Sequence, residues 1–378
     1  MKIGIVCYPT FGGSGVVATE LGKALAEKGH KVHFISYQQP VKLDTFASNI
    51  FYHEVTITDY PLFDYPPYEL VLSSKLVDVV LHEKLDLIHV HYAIPHASAA
   101  YMAKKILQEK GIELPVITTL HGTDITIVGK DPSFTPVINF SINKSDIVTA
   151  VSKSLREDSY NHLDIKKDIK VIPNFVCLDQ YNFNGNCKEL KEKFSPNGEK
   201  IIVHISNFRP VKRVADVIRI FDKIRNKISA RLIMVGDGPD RWKMEELCRK
   251  LNTCHLVDFV GKLKDTERVL SIADLFLLPS ESESFGLAAL EAMAAKTPVI
   301  STNTGGLPEV NKDGFSGFTA NVGDIDTMAA KAIELLSNEE QLNKFKENAY
   351  QQAQKFDIHN ILPLYEDLYQ ELLTTKTI

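Results

Sequence analysis

Two glutamates eight positions apart, Glu283 and Glu291, lie in the segment PSESESFGLAALEAMA at 279–294. Carboxylates accept hydrogen bonds from neighbouring sugar hydroxyls. Between the two glutamates, FGL opens a helix-like run, and the free N–H groups at Phe285, Gly286 and Leu287 suit a diphosphate or a sugar oxygen. A loop followed by an amphipathic helix with surface glutamates is the plainer reading, and it meets one difficulty. Glu291 stands between Leu290 and Met293 in an otherwise apolar run, where an unpaired buried charge is costly. The spacing puts Glu283 in a loop after an apolar strand and Glu291 two turns into the helix.

A second chemical cluster is SNFRPVKR at 206–213. Arg209, Lys212 and Arg213 at a strand-to-helix junction could clamp a diphosphate through charge-assisted bonds. Cations at a helix start oppose its dipole unless an anion binds, so a merely solvated cluster is slightly disfavoured. Near the N-terminus, PTFGGSG at 9–15 is neither GxGxxG nor a Walker A loop. Its glycines allow close backbone approach to an anion, and a purely structural turn is the alternative. In LHGTD at 120–124, His121 follows a strand-like run and is placed to meet a substrate or to be a satisfied structural histidine. His89 and His91 alternate on one strand and share a face, but with no nearby carboxylate or cysteine they argue only weakly for metal. The DxD pair, Asp324 and Asp326, reads better as a helix cap than as a metal site.

Strand-like and helix-like runs alternate to position these groups. In the first half, strands are expected at 2–8, 31–36, 85–91, 116–120, 146–151 and 169–172, with helices at 16–28, 96–109 and 153–162. After a turn-rich join at 173–198 the alternation restarts. Strands are expected at 200–206, 231–235, 255–260, 275–278 and 298–301, and helices at 215–226, 241–251, 287–295 and 325–336. Two further helices close the chain at 338–356 and 361–373. Such alternation predicts parallel sheets covered on both faces. A chain of 378 residues fits two such units.

Composition narrows the function. Hydrophobic residues make 44% and charged residues 24%, which excludes a disordered chain. The formal charge of −5 supplies no basic excess for bulk binding to nucleic acid. Five scattered cysteines without a CxxC fit reduced thiols rather than a disulfide framework or a zinc site. The opening apolar stretch is too short for a signal peptide, and no run approaches a membrane span. A cytoplasmic protein is expected.

The Glu283–Glu291 pair, with GGLPE at 305–309 after the next strand, resembles the retaining glycosyltransferases of family 4. The resemblance covers nearly the whole chain. It implies an α/β GT-B fold, two Rossmann-like parallel-sheet domains facing across a cleft. The first, 1–175 with the returning helix 357–378, would bind the acceptor. The second, 176–356, would bind the nucleotide-sugar. Three stretches, YPTFGGSGVV at 8–17, VHYAIPH at 90–96 and LHGTDIT at 120–126, are most similar to family members that transfer N-acetylglucosamine to L-malate, the first step of bacillithiol biosynthesis.

That resemblance implies roles residue by residue. Glu291 would hold the ribose hydroxyls, and Glu283 would lie by the donor sugar's 3-hydroxyl. The N–H groups of Phe285, Gly286 and Leu287 would face sugar and diphosphate. Gly261 and Leu263 would contact uracil, and Ser206 is placed with the donor. Arg209 and Lys212 would neutralise the diphosphate, Gly12 and Gly13 would approach it from the other domain, and His121 would lie near the sugar's 6-hydroxyl. The family usually spaces its arginine five residues before the lysine, where this chain has Asn207. Ser14, Tyr92, Thr123 and Arg156 are the acceptor candidates. The implied partners are UDP-N-acetylglucosamine and L-malate, with no nucleic acid, no stable membrane insertion, no cofactor and no obligatory metal; association with a second copy is allowed. A lipid or glycan acceptor, or a GT-B-fold epimerase acting on the donor alone, are the alternatives.

Overall fold

The computed structural model describes residues 1–378 except 11, 58–63, 127, 128, 130, 182–186 and 375–378. It divides into two compact units, Met1–Asn174 with Ile358–Ile378, and Phe175–Asp357.

The first unit holds strands β1 Lys2–Val6, β2 Lys31–Ser36, β3 Ile50–Glu54, β4 Leu87–His91, β5 Val116–Leu120, β6 Ile147–Ala150 and β7 Ile169–Val171. Its helices are α1 Ser14–Glu27, α2 Tyr68–Glu83, α3 Ser98–Gln108, α4 Thr123–Thr126, α5 Thr135–Lys144 and α6 Lys153–His162. The strands pair in parallel in the order β3-β2-β1-β4-β5-β6-β7. β4 and β5 are buried at every position, because helices cover both faces and the strands need no polar alternation. On one face α2 and α3 set Leu72, Leu76, Ala100 and Leu107 against Val6, Ile35, Ile88 and Val90.

The second unit holds β8 Lys200–Ile205, β9 Ala230–Val235, β10 Val257–Gly261, β11 Leu275–Leu278, β12 Val299–Thr302 and β13 Gly317–Ala320. Its helices are α7 Cys187–Phe194, α8 Val214–Arg225, α9 Arg241–Lys250, α10 Thr266–Leu270, α11 Leu287–Ala294, α12 Leu307–Val310, α13 Ile325–Ser337 and α14 Glu339–Gln354. The order is β10-β9-β8-β11-β12-β13, again all parallel. Phe221, Ile224 and Val217 of α8 pack with Leu335 and Ala332 of α13 over Ile202, Leu232 and Met234. Burying each large apolar side chain contributes about 1.5–3 kcal/mol.

The last helix, α15 Ile358–Thr374, belongs to the first unit. Its Tyr365 and Tyr369 are fully buried, and Tyr369 OH meets His89 Nδ1 at 2.8 Å. Glu366 pairs with His30 at 3.0 Å and Glu371 with Lys170 at 2.6 Å.

The two sheets share one winding. In each, the first strand lies between the second and the fourth, so the chain leaves in opposite directions from β1 and β4, and from β8 and β11. The loops beyond those strand ends part there and leave a crevice, the usual ligand position in an open α/β sheet. Sequence reasoning missed β3 and β13, both edge strands, and the helices α2, α5 and α7 with the short α4, α10 and α12.

Candidate active site

At the first crevice the loop after β1 ends on Gly13, whose φ of 63° and ψ of −132° are unfavourable for a residue with a side chain. α1 then starts without a side-chain cap, so its first N–H groups are not met by a capping side chain. Ser14 Oγ donates to Tyr92 OH at 3.0 Å, joining the β1 exit to the β4 exit. The neighbouring Thr123 side chain acts on the same hydroxyl, lowering its pKa against the burial that raises it. Its backbone has φ 92°, a strained value for a non-glycine residue, and its N–H is fixed on Thr119 O at 3.0 Å. Ser14, Tyr92 and Thr123, three of the four residues grouped as acceptor candidates, therefore lie in one hydroxyl cluster.

His121 lies beside it, its ring 5.4 Å from that of Tyr92. Its Nε2 is 2.8 Å from Nδ1 of His91, so one nitrogen carries the proton and the other accepts it. His91 stacks on His89, and His89 Nε2 reaches Thr119 Oγ1 at 2.6 Å. His89 and His91 do share a face, but they hold protein groups. Burial pushes His121 and His89 down to about 3, with the neighbouring imidazoles adding to the effect at His121. His91 is lowered well below the ordinary value for the same reasons. The array is neutral at pH 7.

Asp124, buried in α4, was not singled out from the sequence. Its carboxylate accepts from Ala93 N at 3.1 Å and from Gly122 N at 3.0 Å, tying the loops after β4 and β5 together. Burial raises it to about 6 against the lowering effect of those N–H groups. An aspartate two residues past a strand-end glycine was the available signal. Arg156 is half-buried in the first turn of α6, which packs on α4; Ser152 caps that helix by accepting from Leu155 N at 3.0 Å.

At the second crevice Lys212 Nζ donates to Glu283 Oε1 at 2.6 Å, and Ser280 Oγ donates to the same oxygen at 2.8 Å. This ion pair spans the exits of β8 and β11 as the hydroxyl cluster spans those of β1 and β4. Glu281 N donates to Val211 O at 2.8 Å and fixes the two loops in register. The Glu283 carbonyl accepts from Gly306 N at 2.8 Å. Gly305, at φ 57°, passes so close that a Cβ there would stand 2.1 Å from that carbonyl oxygen, so the GGLPE glycines shape the glutamate loop. Ser206 Oγ bonds His204 Nε2 at 2.7 Å, and burial pushes His204 down to about 4.

α11 begins at Leu287 behind Gly286, with no side-chain cap. Glu291 is its fifth residue, little more than one turn in rather than two, and is half-buried rather than enclosed. Gly261 ends β10 at φ 74°, with Leu263 half-buried just beyond. Arg209 is exposed, and no hydrogen bond or ion pair of its side chain is seen among the described residues. Asp324 caps α13 by accepting from Thr327 N at 3.0 Å, and Asp326 pairs with Lys223 at 2.8 Å, so the DxD pair is taken up in local structure.

Two parallel α/β units each carry a polar cluster at the crevice of their sheet. The family description "Glycosyltransferase Family 4" matches residues 11–180, and "Glycosyl transferases group 1" matches 187–352. The chain belongs to glycosyltransferase family 4, with the GT-B fold. It is 46% identical over 375 residues to the N-acetyl-alpha-D-glucosaminyl L-malate synthase of Bacillus anthracis, covering 99% of this chain and 97% of that one. An uncharacterized glycosyltransferase of Methanocaldococcus jannaschii is 28% identical, covering 97% of each chain. Among solved structures, Anabaena HepE in complex with UDP and glucose superposes with a TM-score of 0.84 at 19% identity, over 98% of this chain and 100% of that one. Sucrose-phosphate synthase from Thermosynechococcus elongatus gives 0.82 at 20% identity, over 99% and 100%.

Proposed function

We propose that this glycosyltransferase moves N-acetylglucosamine from UDP-N-acetylglucosamine to the hydroxyl of L-malate, with retention at the anomeric carbon and without an obligatory metal. The observation that carries the reading is the 46% identity, over nearly the full length, to a chain named for that reaction. This transfer is the first step of bacillithiol biosynthesis.

On this reading the second unit holds the donor. Glu291 accepts from the ribose hydroxyls, and Gly261 and Leu263 border the uracil. The N–H groups of Phe285, Gly286 and Leu287 face the sugar and diphosphate, with Glu283 at the sugar's 3-hydroxyl and Ser206 nearby. Lys212 carries three N–H donors, so it can keep Glu283 and still neutralise a diphosphate oxygen. Arg209 adds charge if its loop turns inward. In the first unit, Ser14, Tyr92 and Thr123 offer hydroxyls to the acceptor and Arg156 supplies a cation for its carboxylates. Gly12 and Gly13 let the backbone approach the diphosphate, and His121 positions the sugar at its 6-hydroxyl.

The anomeric carbon–oxygen bond to UDP breaks, and a bond from that carbon to the malate hydroxyl oxygen forms on the same face. The hydroxyl proton passes to the departing phosphate oxygen, which balances the step without a protein base. No helix among the described residues is long and apolar enough to cross a membrane. Incubation with UDP-N-acetylglucosamine should release UDP only when L-malate is added. Turnover of donor alone would favour the epimerase, and turnover only with a lipid or glycan would replace malate as acceptor.

A further inference from the structure

We infer that His33, His53 and Glu83 form a binding site for a divalent transition-metal ion of the zinc class, separate from the transferase residues. Their ligand atoms all lie within 4.8 Å of one another, on three different elements, β2, β3 and the last residue of α2. His33 Nδ1 is 3.0 Å from His53 Nε2. Two imidazole nitrogens held by one tetrahedral zinc at about 2.0–2.1 Å stand roughly 3.3 Å apart, close to the separation found here.

The surroundings suit a ligand set. His33 is 1% exposed, stacked on Phe51 at 4.6 Å, and its Nε2 meets no partner among the described residues. The contact with His53 is thus the sole polar satisfaction of a buried ring. Metal ligation needs neutral imidazole. Burial disfavours the charged form of both rings. Glu83 supplies the negative charge. The charged neighbours are Lys2, whose ammonium donates to the Glu83 carbonyl at 2.7 Å, with Lys31, Lys75 and Asp78. Two imidazoles and one carboxylate leave one tetrahedral position for water. The imidazole rings are nearly coplanar, 18° apart, with their nitrogens facing. Seating an ion therefore requires the half-buried His53 ring to turn so that both lone pairs converge. The bound ion would pin edge strand β3 and the end of α2 to the sheet interior. Glu83 lies where the chain enters β4, whereas Tyr92 and His121 follow the exits of β4 and β5.

The test uses the full chain, stripped with chelator and titrated with zinc chloride in equilibrium dialysis. One zinc per chain should bind with micromolar or tighter affinity. His53→Ala and Glu83→Gln, both at half-buried positions, should each weaken binding at least about tenfold. Zinc should raise the melting temperature of the parent chain and not of the variants. Glu83→Gln keeps the helix-end side chain and its volume, so it decides the matter if His53→Ala fails to fold. No saturable zinc uptake by the parent chain, or equal uptake by both variants, would overturn the site and leave a plain imidazole–imidazole hydrogen bond.

Discussion

Acidification should unfold the first unit before the second. His33, His89, His91, His96 and His121 are all held by burial far below the ordinary value of 6.5, those with values at about 3 to 4. A depressed imidazole contributes stability that is present above the unfolded value and lost as pH falls toward the folded one, because only the unfolded chain takes the proton. Between about pH 7.5 and 5.5, each unfolded histidine gains nearly a full proton while the folded rings gain almost none, which costs about 1 kcal/mol per ring. That window lies above every folded value, so the magnitude depends little on how deep the shifts run. Asp124 acts oppositely: raised to about 6, it takes a proton in the folded state first and returns about 1 kcal/mol. The net loss for this unit is on the order of 4 kcal/mol. In the second unit His204 is the lowered imidazole among the described residues, so a loss of only about 1 kcal/mol is expected there. Urea unfolding at the two pH values reads both, with Trp242 fluorescence reporting the second unit and hydrogen exchange at β4 and β5 the first. Equal shifts in the two units, or β4 amides as protected at the lower pH as at the higher, would refute the neutral histidine array.

Three substitutions probe the crevices. Lys212→Met should lower kcat about 10²–10³-fold with a smaller change in donor KM, measured by UDP release, because the ammonium matters most when the diphosphate departs. Tyr92→Phe removes the hydroxyl that accepts from Ser14 and should raise the malate KM about fivefold, the equivalent of roughly 1 kcal/mol. Gly305→Ala places a methyl 2.1 Å from the Glu283 carbonyl oxygen; the loop must move, and both activity and melting temperature should fall, by about 1–3 kcal/mol in stability.

The alternation of apolar runs and turns made the two parallel sheets legible, because strands buried on both faces leave continuous apolar stretches such as KIIVHI. β3 escaped because IFYHE is an edge strand with only Ile50 buried, so its pattern resembles a loop. The Lys212–Glu283 contact joins residues 71 apart in the chain, and no spacing rule reports it. The sequence suggested that both residues mattered; only the order β8-β11 shows why they meet. Asp124 and His91 were opaque for a related reason. A buried carboxylate that organises two loops and a ring that orients another look like any strand-end polar residue until the third dimension supplies their partners. Glu291 was legible as out of place in an apolar helix, yet the inference overshot: α11 starts at Leu287 as expected, but Glu291 is only its fifth residue and its side chain is half-buried.

The same winding repeated in both units produces different chemistry because the crevice loops are not committed to the core. Around β8 and β11 they carry a charged pair suited to a group that leaves with negative charge. Around β1 and β4 the clustered groups are hydroxyls and neutral imidazoles, together with Asp124. A general base works best with a pKa near the operating pH, and burial has pushed His121 to about 3. Such an imidazole is a poor base toward an alcohol, but a fixed neutral donor or acceptor suits the positioning role proposed for it. On the proposed course the acceptor's proton must therefore go elsewhere. In that proposal the departing phosphate, gaining charge as the anomeric bond breaks beside Lys212, would be the stronger base at the moment the proton moves.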